Sequence, residues 1–409
     1  MPTLHIEIAE AIMDKHTLMC CNGDFYKYGA GFFEQIDEAW LRQLTRRLMR
    51  DKFSRAKAAE VLSTISADCY TPNSELNKGD LLNLKNGMFN LKDNELTKHS
   101  PDLKSTIQLN VKYDEDSLCN LWIKTLNQIF NDDIEKVKIL QEFFGLCLTK
   151  ETKYEKALLM IGEGRNGKSV ILYILEQLIG YQNRSAVSLD DFDNPHYIAN
   201  LFNKVVNISI ETSAKSSVYD ANFKSIISGD SIEADPKYKK PFMFRPFCKL
   251  VVSTNNLPRV DDKSDAFFKR LLILRFDKQF SEEEQNRELK YQLDGEIDGI
   301  FLWALSGLKR LRKQKSFIIG KSIVDEVREY RKENNNVIIF VEENCDFDSF
   351  SYITCKDFYK GYASWCKESG HKAWSQNRFG REFKKHFSEK CVAKHYQGQR
   401  FWHGLRLRG

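Results

Sequence analysis

Residues 162–169 read Gly-Glu-Gly-Arg-Asn-Gly-Lys-Ser and fit the G-x-x-x-x-G-K-[ST] pattern of a phosphate-binding loop. Small residues let backbone N–H groups close around phosphates at the start of a helix, where the helix dipole favours anions. In that role Lys168 neutralises charge on the β- and γ-phosphates, and the Ser169 hydroxyl ligates Mg²⁺. Gly162, Gly164, Asn166, Gly167, Lys168, Ser169 and Val170 are therefore the candidate ATP-binding residues. The bland alternative is a glycine-rich turn whose lysine is merely solvated. The flanks argue for the nucleotide: an apolar strand precedes the loop at 157–161, and an apolar helix follows it at 170–178.

The work of such a loop depends on the groups that join it. Residues 205–211 read Val-Val-Asn-Ile-Ser-Ile-Glu, a strand ending in a carboxylate about 40 residues beyond the loop. Glu211 there is placed to orient an attacking water and to hold the metal, partly through water. Without the loop it is an ordinary solvated strand end. A third strand at 250–254 ends in Asn255-Asn256, and an amide at that place can contact the γ-phosphate or the water. A β-turn with a helical cap would use Asn-Asn-Leu-Pro equally well. Lys269 and Arg270 precede a fourth strand at 271–274, and an arginine offered to a neighbouring subunit's γ-phosphate would stabilise the charge that develops in hydrolysis.

These residues need a scaffold, and the hydropathy pattern supplies one. From 157 onward apolar strand-like runs at 157–161, 205–210, 249–253 and 271–276 alternate with helical stretches, which argues for an α/β sheet covered by helices. Residues 1–80 read as a helical region, with Leu41, Leu44, Leu48, Ala58, Val61, Leu62 and Ile65 at three- and four-residue spacing. Residues 81–150 combine a small β-hairpin around Asn86-Gly87 with helical spacing over 118–148. The core at 151–280 is followed by a helical segment at 281–320. The part from 321 to 409 shows helices near 324–345, 355–369 and 376–387, then two short strands joined at Gln397-Gly398. Three helices and a terminal hairpin suggest a winged helix.

Composition sets the outer limits. The chain has 409 residues, 42% hydrophobic and 12% aromatic, which excludes a disordered or fibrous protein. Apolar runs reach only about a third of the ~18 residues needed to span a membrane. Neither a secretory signal nor a Cys-x-x-Cys pair is visible, so the expectation is a reduced cytoplasmic protein. The net charge is +5, yet residues 351–409 alone carry 13 Lys or Arg against four Asp or Glu. Aromatic residues alternate with these cations, a composition that suits a polyanion as well as a small solvated basic domain. On the helix at 376–387, Arg378, Arg381, Lys384 and Lys385 are the candidate DNA contacts.

In this order and spacing the pieces resemble the superfamily 3 helicases of viruses, phages and plasmids, and specifically the helicase part of primase-helicases of phages, plasmids and large DNA viruses. The resemblance runs from Asn83 to about Leu311. Residues 162–169 match its Walker A motif, 208–211 its Walker B motif, and Asn255 in Ser253-Thr254-Asn255 its motif C. The stretch 224–230 together with Lys237-Tyr238-Lys239-Lys240-Pro241-Phe242 is similar to motif B′, which in that family forms a DNA-contacting hairpin in a central channel. On this resemblance Lys224, Lys237, Lys239 and Lys240 contact DNA and Arg270 is an arginine finger. A charged solvated turn reads the same lysines without DNA. Three departures are visible: Glu211 stands without a second acid, the usual double glycine of motif B′ is Ser228-Gly229, and the first of the paired arginines is Lys269.

The resemblance implies an AAA+-like P-loop ATPase core using ATP and Mg²⁺ in a hexameric ring that translocates along single-stranded DNA and unwinds forked duplex, moving 3′ to 5′. A different class remains open, an initiator that recognises DNA and in which ATP controls only assembly. A small-molecule kinase gives no reason for Arg270 or the basic tail. No primase or polymerase module is visible, so priming would need another polypeptide or a missing N-terminal half, and the basic tail could instead meet a primase partner.

Overall fold

Helix α1 (Leu4–Met13) buries Ile8, Ala9 and Ile12 in a cluster shared with α2 (Glu38–Met49) and α3 (Arg55–Asp68). Asp37 caps α2 by accepting from the Ala39 N–H, and Ser54 caps α3 by accepting from the Lys57 N–H. This computed structural model describes residues 3–211, 217–218, 220–255, 259–260, 265–333, 335–371, 373–396 and 398–408.

Between α1 and α2 the structure departs from the helical expectation for residues 1–80. A three-stranded antiparallel meander occupies it: β1 (Leu18–Cys21), β2 (Asp24–Gly29) and β3 (Phe32–Ile36). The reason lies in two tight turns. Asn22 and Gly23 have φ of +51° and +81°, and Ala30 and Gly31 have +50° and +91°. Two left-handed residues in succession are what a type I′ hairpin requires, and Asn-Gly is its strongest signal. One face of the meander buries Met19, Cys21, Tyr26 and Phe33 with Leu76.

The second antiparallel group agrees with the sequence reading: β4 (Leu81–Leu84), β5 (Gly87–Asn90) and β6 (Leu96–Thr97). The helical stretch that follows is two helices, α4 (Asn120–Phe130) and α5 (Ile134–Cys147). Asn131 takes the left-handed conformation that ends α4, and Asp133 caps α5 through the N–H groups of Glu135 and Lys136.

The central sheet is built from β7 (Ala157–Ile161), β8 (Arg184–Ser185), β9 (Val206–Glu211), β13 (Lys249–Thr254) and β15 (Leu271–Arg275). Its order is β15-β7-β13-β9-β8 with every pair parallel. Every residue of β7 and β13 is buried, as a parallel sheet covered on both faces demands. The connections carry α6 (Lys168–Ile179), α7 (Pro195–Ile198), α8 (Asp220–Ser228), the short pair β10 (Ser217–Val218) and β14 (Arg259–Val260), and the hairpin β11 (Ile232–Ala234) and β12 (Phe242–Phe244). Helices α10 (Leu289–Asp294) and α11 (Ile297–Gln314) follow β15; α11 lies along α5, where Arg310 Nε pairs at 2.8 Å with the fully buried Glu142. All of this belongs to one compact unit of residues 1–261 and 269–323. The mixed α/β class with a parallel sheet is thus as expected.

A second unit comprises residues 262–268 and 324–409 and includes α9 (Asp265–Phe268) and most of α12 (Lys321–Glu333). It continues with α13 (Asn336–Asn344), β16 (Cys345–Asp346), β17 (Tyr352–Thr354), α14 (Cys355–Glu368), α15 (Gln376–Phe387), β18 (Val392–Tyr396), β19 (Gln399–His403) and β20 (Arg406–Leu407). The helices expected at 355–369 and 376–387 and the terminal hairpin are present, and β17 joins that hairpin in the order β17-β19-β18. The stretch expected as one helix over 324–345 is two, α12 and α13, with Asn335 capping the second through the Val337 N–H. The core of the unit is aromatic, with Phe358, Tyr362, Phe379 and Phe383 all buried.

Candidate nucleotide site and basic surfaces

Residues Ile161, Thr254 and Glu211 are register partners across β7, β13 and β9. The phosphate loop, Asn255 and Glu211 therefore all leave the sheet at the carboxyl ends of three adjacent strands, the edge at which open α/β sheets bind ligands. The Gly162 N–H donates to the Thr254 carbonyl at 3.3 Å and fixes the loop's entry. Asn255 is exposed. The Glu211 backbone closes β9, and its side chain lies outside the described residues, as does Asn256.

Two glycines make the loop possible. At Gly162 a Cβ would fall 2.5 Å from Asn166 Nδ2 and 2.6 Å from the Phe276 carbonyl. At Gly167, with φ of +89°, it would fall 2.5 Å from Ile129 Cδ1 on α4. Gly164 has open space around its Cα. The loop closes on Lys168, the first residue of α6. Its ammonium donates to the Gly162 carbonyl, to the Glu163 carbonyl at 3.0 Å and to Asn166 Oδ1 at 3.1 Å. Burial pulls the Lys168 pKa below its usual value. Asn166 is itself buried, and its Nδ2 reaches the Phe276 carbonyl at 3.4 Å. Ser169 is exposed and Val170 half-buried on the first turn of α6.

The sequence reading did not foresee the segment that follows β15. The Phe280 N–H donates to the Arg165 carbonyl at 2.8 Å, Gln279 Nε2 reaches Glu163 Oε2 at 3.0 Å, and Arg165 pairs with Glu282 at 3.3 Å. Residues 276–282 thus run along the outside of the phosphate loop. Their types carry no motif; only the fold brings them there. A glycine cradle, a buried ammonium on carbonyl and amide oxygens, and the amino terminus of a twelve-residue helix fit a nucleotide triphosphate. Ser169 is the residue on that turn able to hold a divalent metal.

Arg270 is not brought to this edge. Its carbonyl accepts from the Ala157 N–H at 2.8 Å, so it stands at the amino-terminal end of β7 and β15. The five residues of β7 separate it from its own loop by about 16 Å, at ~3.3 Å per residue. There its guanidinium pairs with Glu155 at 2.7 Å and reaches Ser228 Oγ at 3.5 Å. Ser228 ends α8, which carries Lys224 half-buried on the same short helix.

The lysines at 237, 239 and 240 sit in the seven-residue connection between β11 and β12, all exposed together with Tyr238. A basic hairpin is therefore present. It is not free-standing: Phe242 and Phe244 pack edge-on against Phe202 at 5.0 Å and 5.6 Å, and the Lys239 ammonium pairs with Asp24 on the β1–β2 turn. Asp24 was not singled out by the sequence. In the second unit, α15 buries Phe379, Phe383 and Phe387 and turns Arg381, Lys384 and Lys385 outward, while the Arg378 guanidinium lies over Trp374 at 4.1 Å.

Comparisons with known proteins find similarity to proteins of large DNA viruses. A model described as "D5 N terminal like" matches residues 9–131, and "Poxvirus D5 protein-like" matches 332–402. Residues 160–270, which hold the phosphate loop, match a family of unknown function, DUF5906. A protein of Acanthamoeba polyphaga mimivirus named "Putative helicase L207/L206" is 22% identical over 343 residues, 73% of this chain and 34% of its own length. "Putative helicase 022R" of Frog virus 3 (isolate Goorha) is 24% identical over 241 residues, 51% of this chain and 24% of its own length. The chain thus spans only about a third and a quarter of these relatives. In fold it is similar to the apo structure of the NrS-1 C-terminal region, with a TM-score of 0.58 at 12% identity and all of both chains covered. A second structure of that region, residues 305–718, gives a TM-score of 0.53 at 12% identity, with 98% of this chain and all of the other covered. The resemblance to the helicase part of primase-helicases of phages and large DNA viruses holds.

Proposed function

We propose that this chain is an ATP-driven DNA helicase of superfamily 3 that works as a hexameric ring in DNA replication. The observation that carries the reading is the separation of Arg270 from the phosphate loop of its own chain. In one protomer the loop, Glu211 and Asn255 share an edge, while Arg270, the arginine expected to stabilise charge developing on the γ-phosphate, is at the far end of the sheet. A ring in which each Arg270 meets the next protomer's loop brings an arginine to that loop.

In this reading Lys168 gives up the loop oxygens it holds and takes the β- and γ-phosphate oxygens, while backbone N–H groups of 164–169 surround the phosphates. Mg²⁺ on Ser169, with Glu211 acting partly through water, supplies neutralisation of the phosphate oxygens when bound. Glu211 orients the attacking water and Asn255 fixes the γ-phosphate or that water. The exposed Lys237, Lys239 and Lys240 grip a single strand through its phosphates without regard to sequence. In the second unit, a winged helix in this reading, Arg378, Arg381, Lys384 and Lys385 of α15 meet duplex phosphates, and the work takes place where the replicating DNA is, in the host cytoplasm.

Glu211→Gln is the decisive variant. The motor reading expects ATP and DNA binding to survive while strand displacement from a forked duplex is lost. A variant that still displaces strands removes Glu211 from the mechanism. Parent protein that binds and melts an origin sequence in ATP, yet displaces no strand from a plain fork, supports the initiator reading instead.

A further inference from the structure

The second unit has a face that α15 leaves unused. In the sheet β17-β19-β18, Ile353, Trp402 and Ala393 are register partners, and the buried Trp402 packs edge-on against Phe383 of α15 at 4.7 Å. Side chains alternate across a strand, so the neighbouring rows point away from that core. One row is Val392, His403 and Tyr352; the next is Lys394, Phe401 and Thr354. Tyr352 is 70% exposed, and Phe350, which leads into β17, is 91% exposed. The Tyr352 and Phe401 rings meet edge to face at 5.9 Å and 75°.

Leaving rings in water forgoes burial worth ~25 cal/mol per Å² of apolar surface, so a cluster of them on one small sheet asks for a ligand. The charge around them says which. Lys394 sits directly across from Phe401, whereas the centre of a protein-docking patch is depleted of charge. Among the described residues near the sheet, the carboxylates Asp346, Asp348 and Asp357 already have partners. Asp346 pairs with Arg408 at 2.9 Å, Asp348 accepts from Ser351 Oγ at 2.7 Å, and Asp357 accepts from Thr354 Oγ1 at 2.7 Å. With 13 Lys or Arg against four Asp or Glu over residues 351–409, the tail is positive in sum while offering flat rings. Aromatic faces beside cations are how proteins hold single-stranded nucleic acid, with bases stacked and phosphates paired.

We propose that the outer face of β17-β19-β18, through Tyr352 and Phe401 and with the exposed Phe350 in the turn before β17, stacks unpaired bases of a nucleic-acid strand whose phosphates meet Lys394. This rests on the reading that the chain works on DNA, and adds a site for the unpaired arm that is separate from both α15 and the β11–β12 hairpin.

The test uses the full chain with two probes, a blunt duplex and the same duplex carrying a single-stranded arm with 5-iodouracil. Irradiation is expected to cross-link the arm to Tyr352 or Phe401, located by peptide mass. Tyr352→Ala and Phe350→Ala, both at exposed positions, are expected to weaken the armed duplex by about fivefold or more, leave the blunt duplex unchanged, and lose the cross-link, while Tyr352→Phe keeps both. Unchanged binding of the armed duplex in both alanine variants overturns the proposal and leaves the face to a protein partner. Equal loss on both probes also overturns it. A parent protein that binds neither probe fails earlier, at the reading of the chain as a DNA enzyme.

Discussion

Arg270 is ion-paired with Glu155 at 2.7 Å, at the end of the sheet opposite the phosphate loop that contains Lys168. That pair and the contact with Ser228 Oγ at 3.5 Å hold the guanidinium at this end of the sheet. Removing such an arginine costs about 10³–10⁵ in turnover elsewhere, because it acts on charge present only in the transition state. Arg270→Ala is accordingly expected to bind ATP as the parent does and to lose turnover by at least about a thousandfold. Fluorescent-nucleotide titration and steady-state phosphate release measure the two quantities. Weaker nucleotide binding with near-normal turnover per bound ATP would assign Arg270 to structure alone.

The loop glycines differ in what they tolerate. Gly167→Ala places a methyl against Ile129 at a left-handed backbone position, and is expected to cost about 1–3 kcal/mol of stability along with nucleotide binding. Gly164→Ala meets nothing within 4 Å and is expected to leave the unfolding midpoint within a degree or two of the parent. Thermal unfolding of both variants distinguishes these; equal midpoints would mean the loop's packing on α4 is unimportant.

The pairing of Lys239 with Asp24 ties a lysine of the basic hairpin to the amino-terminal meander. An exposed pair of this kind contributes up to about 1 kcal/mol. Asp24→Asn should therefore tighten single-stranded DNA binding by up to about fivefold at low salt, and Lys239→Ala should weaken it and flatten its salt dependence. Fluorescence anisotropy across a salt series reads both. Looser binding by Asp24→Asn would show that Asp24 positions the hairpin for DNA instead of occupying its lysine.

Lys249 opens β13 inside the protein, donating to the Thr149 and Phe247 carbonyls at 2.7 Å each. Burial pulls its pKa down from 10.5 to about 8. The unfolded chain thus binds this proton more tightly than the folded one, so folding is penalised in full below about pH 8 and the penalty fades as pH rises towards 10.5. At ~1.36 kcal/mol per pKa unit this is about 3 kcal/mol of stability gained across that window. Urea unfolding of the parent and Lys249→Met at pH 7.5, 9 and 10 checks it. The difference between the two should move in the parent's favour as pH rises, and a constant difference would mean that folding leaves the pKa of this amine unshifted.

Much of this was legible from residue order. The loop 162–169 and the strands around it depend on short-range signals: glycine at fixed offsets, an apolar run before, an apolar helix after. Glu211 and Asn255 were singled out because each ends an apolar strand, and the register of Ile161, Thr254 and Glu211 explains why those strand ends lie side by side. The N-terminal meander was missed although Asn22-Gly23 announces its first turn, because leucine spacing downstream outweighed a two-residue signal. Asp24, Gln279 and Glu282 carried no signal. They act through partners 116 to 215 positions away in sequence, and separations of that size are set only when the sheet closes.

The central claim is that one protomer's phosphate loop is completed by Arg270 of the next. Mixing two inactive chains tests it: Lys168→Ala, which keeps Arg270, and Arg270→Ala, which keeps the loop. Co-assembled in ATP and single-stranded DNA, they are expected to recover ATPase activity up to about a quarter of the parent's, because about one interface in four pairs an intact loop with an intact arginine when assembly is random. A mixture that forms rings of the parent's mass and stays as inactive as its components would contradict the account.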